Sequence, residues 1–240
     1  MTLAAPWGAY RLAASQLAEA VYLPLDETPD GCVAPTGAMA VREALAHADA
    51  GVMGPGLGQA EAVHEFMQQT LLVEPPLALP LVLDADALNA LAQTYRWWER
   101  LQSPAVLTPH PGELSRLLRC TVAEIQHDRV GFARRAAESW GQVVVLKGAH
   151  TVVATPDGQA CLSPFANPAL ASAGTGDVLA GIIGALLAQG LQPYDAAVAG
   201  VHLHASAGER VRGESGDAGL MASDLLPMLP RVMKALRASA

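Results

Sequence analysis

The chain has 240 residues, 51% of them hydrophobic and 16% charged, with 15 Lys+Arg against 23 Asp+Glu for a formal net charge of −8. A chain of this length can bury a large core, and its composition excludes a disordered polymer. Its negative balance excludes general nucleic-acid binding, which draws its affinity from Lys and Arg on phosphates. Any phosphate the protein binds must be handled locally.

Cys32, Cys120 and Cys161 are scattered and make no CxxC pair, which argues against a disulfide framework or a thiolate zinc site and for a reducing cytoplasm. The most apolar run, 178–191, is broken by glycines and Gln189 and is shorter than the roughly 18 residues a membrane span needs. Segment 3–21 carries Arg11 and Glu19 and lacks a basic leader, so it is not read as a signal peptide.

In chain order, the turn residues of 24–35 predict a loose surface loop, followed by a helix near 36–48 and a strand at 51–53. A helix is expected at 59–72, a strand at 79–83, a helix at 86–92 and a strand at 105–107. A long helix follows at 122–140, then strands at 143–146, 152–154 and 160–162. Helices at 175–189, 194–210 and 222–236 complete the pattern. Short, continuously apolar strands alternating with helices predict an α/β fold with a mostly parallel sheet covered on both faces. Such folds place ligands at the carboxyl ends of the strands. Four strand ends carry polar or glycine-rich clusters: GPGLG from Gly54, DADALN from Asp84, TPHPGE from Thr108 and KGAHT from Lys147.

The segment Ala173-Gly174-Thr175-Gly176-Asp177 opens a helix whose apolar residues recur at 178, 179, 182, 183, 186 and 187, while Ala180, Gly181, Gly184, Ala185 and Ala188 form a small face for close packing. Free amides at that helix start form an anion site. Asp177 beside them either caps the helix or takes a proton from a hydroxyl that attacks a phosphorus held by the amides. Lys147, with Gly148 and Ala149 clearing space around it, supplies a cation, and Thr151 a hydroxyl. His110, stiffened by Pro109 and Pro111, is either a turn histidine or a substrate contact. His202 and His204 lie two apart on a helix and so do not share a face, which argues against a zinc site. Trp97-Trp98 reads as packing at a helix end or an oligomer contact.

The order GPGLG, DADALN, LTPHPGE, VVVLKGAHT and NPALASAGTGDVLAG resembles the ADP-dependent NAD(P)H-hydrate dehydratase family of the ribokinase-like superfamily; the match runs from about Val52 to the closing ASDLLP. The resemblance implies a single ribokinase-like domain over 1–240 and a metabolite-repair lyase. In that role hydrated NADH or NADPH (NADHX, NADPHX) loses its 6-hydroxyl at the expense of ADP, giving NAD(P)H, AMP and phosphate. It implies Asp177 as the base; Gly176, Gly174 and Thr175 as the anion hole; Lys147, Gly148, Ala149, His150 and Thr151 on the ADP phosphates, with Gly176; and Gly56, His110 and Asp177 at the hydrated dinucleotide. Glu113 and Asn89 are expected to organise Mg²⁺ through water. A homo-oligomer, possibly a tetramer, is the expected assembly. Family members begin with a further strand and a glycine-serine loop, so this chain is expected to be N-terminally shortened and to enter at the helix after that loop. Two other readings stay open: a kinase for a small alcohol such as a vitamin precursor or sugar, and a non-catalytic nucleotide-binding protein.

Overall fold

The computed structural model describes residues 1–216 and 218–239. It opens with a strand rather than the expected helix. β1 (Thr2–Pro6) pairs in parallel with β2 (Val21–Leu25) across α1 (Trp7–Ala14). Pro6 explains the correction: it disfavours helical backbone at the residue before it, so the helix starts only at Trp7. The Glu27 carboxylate accepts from the Gly8 amide at 2.7 Å, an anion at the start of α1. Segment 24–35 is not loose either. Val33 is fully buried, and Glu27 and Val33 form an antiparallel bridge.

The main sheet has six strands in chain order: β3 (Gly51–Met53), β4 (Leu81–Leu83), β5 (Ala105–Leu107), β6 (Val143–Leu146), β7 (Val152–Ala154) and β8 (Ala160–Leu162). β3 to β6 are parallel; β7 and β8 return antiparallel. The carboxyl ends of the four parallel strands therefore share one rim.

Strand side chains alternate between two cores. Leu81, Leu83, Leu107, Val144 and Leu146 face a layer built from α2 (Ala38–Leu45), α3 (Glu61–Leu71), α4 (Asp86–Gln93), α5 (Pro111–Leu118), α6 (Val122–His127) and α7 (Arg129–Trp140). Val82, Val106, Val145 and Val153 face α8 (Thr175–Ala188) and α9 (Pro193–Ser215). Both faces of the central strands are buried, so their positions are apolar throughout. Beyond α9 pack α10 (Ala222–Leu225) and α11 (Met228–Ser239).

Three helix expectations change. The long helix at 122–140 breaks at Asp128, whose carboxylate caps the second piece through the Gly131 amide at 2.9 Å. The helix at 222–236 splits into α10 and α11. α5 forms in a stretch to which no helix was assigned: Pro111 sits at its first turn, where a missing N–H costs nothing, and His110 and Glu113 close a capping box. The small face of α8 also divides. Ala180 and Gly184 are buried against the sheet, whereas Gly181, Ala185 and Ala188 are exposed. Trp97 is 1% exposed and packs on Trp140 at 5.2 Å, so it belongs to the core.

Candidate active site

At Lys147, on the rim segment after β6, the segments after β4 and β5 and the start of α8 come together. Its ammonium lies 2.6 Å from Asp84 Oδ1 and 3.8 Å from Glu113 Oε2. A side chain at Gly176 would begin 3.4 Å from the same Nζ and 3.9 Å from Asp84 Oδ2. Residues far apart in sequence thus form one charged cluster against the amides of a helix start, where the first turn leaves N–H groups without intrahelical partners.

Close strand contacts hold this cluster. At Gly54 a Cβ would fall 1.8 Å from the Asp84 carbonyl, and φ is +125°, so only glycine lets β3 and β4 end side by side there. The Asp86 carboxylate accepts from the Gly58 amide at 2.8 Å and ties the GPGLG loop to α4. Gly56 is exposed, with nothing within 4 Å of where a side chain would stand, and leaves the rim open. The Lys147 amide donates to the Pro109 carbonyl at 2.9 Å, joining the ends of β5 and β6.

Asp177 stands in the first turn of α8 and is exposed. It does not cap the helix: the cap is Gly174, in left-handed backbone, and no side chain bonds there. Partial burial raises the Asp177 carboxyl pKa, and the nearby Asp84 charge adds to this; Lys147 opposes both. A carboxylate of raised proton affinity, free of capping duty, can accept a proton.

His110 Nδ1 accepts from the Gly112 and Glu113 amides at 2.9 and 3.3 Å, which leaves the proton on Nε2. That Nε2 lies 3.4 Å from Glu113 Oε1, and the other Glu113 oxygen accepts from the His110 amide at 2.7 Å. Partial burial lowers the His110 pKa from 6.5, with Glu113 pulling the other way, so the ring is neutral at pH 7. His110 is thus both a helix cap and half-exposed on the rim.

The other expected residues take varied places. Thr175 is buried; its hydroxyl lies 2.7 Å from the Leu170 carbonyl and 2.8 Å from that of Ser172, and its amide reaches Ser172 as well. Its side chain braces the loop rather than presenting a hydroxyl to an anion. Thr151 Oγ1 donates to the Gly148 carbonyl at 2.9 Å, and His150 Nδ1 lies 3.1 Å from the Ser163 carbonyl, so both shape the β6–β7 turn while Gly148 and Ala149 are exposed in it. Asn89 donates to Asp86 at 3.3 Å and accepts from Arg116 at 2.9 Å. His202 packs on Phe165, while buried His204 meets the Thr175 carbonyl at 2.9 Å. Burial lowers the His204 pKa to about 4, so it is the neutral Nε2–H that donates and pins the loop.

Sequence reasoning passed over Asp84, which is 1% exposed with Oδ2 lacking a protein partner, and Arg129. The available signal for Asp84 was a carboxylate directly after a wholly apolar strand.

A mostly parallel sheet between two helical layers, with its site on the carboxyl rim and at a helix start, is the ribokinase-like architecture. A ribokinase-like superfamily protein from Enterococcus faecalis V583 superposes with a TM-score of 0.78 at 24% identity, covering 98% of this chain and 76% of that one. The family model for NAD(P)H-hydrate dehydratase matches residues 7–231, and the chain belongs to that family. It is 43% identical over 236 residues to the bifunctional NAD(P)H-hydrate repair enzyme Nnr of Moorella thermoacetica, covering 98% of this chain but 44% of that enzyme, so it spans less than half that relative's length. The ADP/ATP-dependent NAD(P)H-hydrate dehydratase of Bacillus subtilis, co-crystallised with ATP/Mg²⁺, superposes with a TM-score of 0.78 at 34% identity, covering 98% of this chain and 78% of that one.

Proposed function

We propose that this chain dehydrates hydrated NADH or NADPH at the expense of ADP. The observation that carries the reading is Asp177, uncommitted to capping and of raised proton affinity, beside helix-start amides and the Lys147–Asp84–Glu113 cluster. The substrate's 6-hydroxyl oxygen attacks the β-phosphorus of ADP as Asp177 takes its proton, and AMP leaves. Loss of the new phosphate together with a ring proton then restores NAD(P)H. The amides of Gly176 and its neighbours hold the migrating phosphoryl group, and Lys147 and the exposed Gly148-Ala149 turn hold the remaining phosphate. Gly56 leaves room for the dinucleotide, and the His110 Nε2–H faces it.

Asp84 Oδ2, buried and without a protein partner, and the Glu113 carboxylate are the hard oxygen donors that suit Mg²⁺, with phosphates and water completing its shell. When bound, the ion offsets phosphoryl charge. The B. subtilis relative's crystallisation with ATP/Mg²⁺ supports this choice. Among the described residues no helix is long and apolar enough to cross a membrane. Three unpaired cysteines support a cytoplasmic setting. Exposed Trp7, Leu12 and Val21 on the N-terminal unit support a homo-oligomer, with a tetramer as the assembly we infer.

Incubation with hydrated NADH, ADP and Mg²⁺ should restore the absorbance of reduced nicotinamide, with AMP and phosphate released in equal amounts. No recovery with either ADP or ATP overturns the reading. A stable phosphorylated alcohol would mark a kinase instead, and nucleotide binding without turnover a non-catalytic protein.

A further inference from the structure

The Arg129 guanidinium crosses from the first residue of α7 to the end of β6. Nη2 donates to the Leu146 carbonyl at 3.1 Å and the Lys147 carbonyl at 3.3 Å, while Nη1 donates to Gln126 Oε1 at 3.2 Å. It lies against Gly148, where a Cβ would stand 3.1 Å from Nη2 and 3.2 Å from Nη1; φ there is +139°, so the turn needs glycine both for its backbone and for the guanidinium. The group is half-buried, and its Nε is buried without a partner, a cost that core packing does not explain.

We infer that Arg129 is a positioning residue for the nucleotide phosphates: by holding two strand-end carbonyls it fixes the backbone from which Lys147 and the Gly148-Ala149 turn project. Strand-end carbonyls carry partial negative charge toward the rim, where a polyphosphate would be repelled. A guanidinium bonded to two of them offsets that charge and adds a full positive one. Nη2 alone reaches both carbonyls while Nη1 is held by Gln126, so the planar group is fixed in orientation by its second arm, which a lysine ammonium lacks. Burial pulls its proton affinity below the ordinary value, yet a guanidinium stays charged at neutral pH. Arg129 touches no reacting atom in this arrangement and acts through Lys147 and the turn.

The inference rests on the proposed nucleotide site but not on the dehydration step, so binding alone tests it. Calorimetric titration with ADP and Mg²⁺, without hydrated dinucleotide, should show Arg129→Met at least tenfold weaker than wild type and Arg129→Lys in between. Turnover at saturating ADP should change less than threefold, so that the KM for ADP rises while kcat holds. A merely structural arginine would instead lower the unfolding midpoint and leave the affinity of the folded fraction within twofold of wild type; that result overturns the inference. So does a fall in kcat with unchanged ADP affinity. If Arg129→Met does not fold, Arg129→Lys decides by the same two numbers. A wild-type protein that binds ADP but does not dehydrate leaves this inference standing while the activity reading falls; one that binds neither ADP nor ATP overturns both.

Discussion

Asp177 and Lys147 sit in one electrostatic neighbourhood but have separable duties. Asp177→Asn keeps the size of the side chain and removes its basicity. Its turnover should fall by about 10²–10⁴-fold, the usual contribution of a positioned base, with ADP affinity near normal. Lys147→Ala should instead weaken ADP binding by about tenfold or more, as measured by titration; unchanged affinity would remove it from the phosphate site. The acid limb of turnover should lie above the ordinary aspartate range, because burial and Asp84 both raise the Asp177 pKa and a base must be deprotonated to act. Asp84→Asn deletes a like charge and frees Lys147, and both changes lower that pKa. A carboxyl NMR titration of Asp177 should therefore move to lower pH in the variant; a move upward would contradict the charge assignment.

At the scale of elements, α8 joins packing to chemistry. A Cβ at Gly184 would stand 2.3 Å from Val52 Cγ2, a stiff β-branched side chain, whereas nothing lies within 4 Å of one at Gly181. Gly184→Ala should cost about 1–3 kcal/mol by overpacking. Gly181→Ala should be neutral or gain up to about 1 kcal/mol in helix propensity. Urea unfolding of the two variants checks the contrast; equal shifts would mean that α8 does not press on β3 as described. The sequence displayed this helix clearly through its apolar spacing, but not which of its small residues faced the sheet, since both sets are small. The six main-sheet strands were equally legible as wholly apolar runs. β1 was not, because Thr2-Leu3-Ala4-Ala5-Pro6 holds only one β-branched residue, at its first position, and no aromatic, with two alanines at its centre. α5 was hidden because Pro111 and Gly112 read as a turn, and only the geometry shows that the neighbouring His110 caps a helix.

In the whole molecule, helical layers and sheet meet at pairs that no local pattern announces: Lys147 and Asp84 are 63 residues apart, and His204 and Thr175 are 29 apart. Candidate site residues were therefore readable one rim segment at a time, while the charge cluster that unites them was not. Burial of His204 makes global stability depend on pH. Its pKa is about 4 when folded against 6.5 in the unfolded chain, so the unfolded state binds more protons between these values and stability falls as pH drops through that window. On acidification from pH 7 to pH 4 the loss from this residue should be on the order of 3 kcal/mol. His204→Gln, which can still donate to Thr175 but does not titrate, should flatten that slope in chemical unfolding at stepped pH; an unchanged slope would place the acid sensitivity elsewhere.

The reversal of direction between β6 and β7 has an evolutionary consequence. A parallel crossover must carry a helix across the sheet, so altering its loop disturbs a packed layer. The Lys147–Thr151 segment instead joins two adjacent strands directly, and both its stems are stitched together by their own ladder. Variation in this segment is therefore confined to the turn itself, where the contacts of Lys147 and the backbone of Gly148 set its limits, while the strand ladder on either side keeps its register.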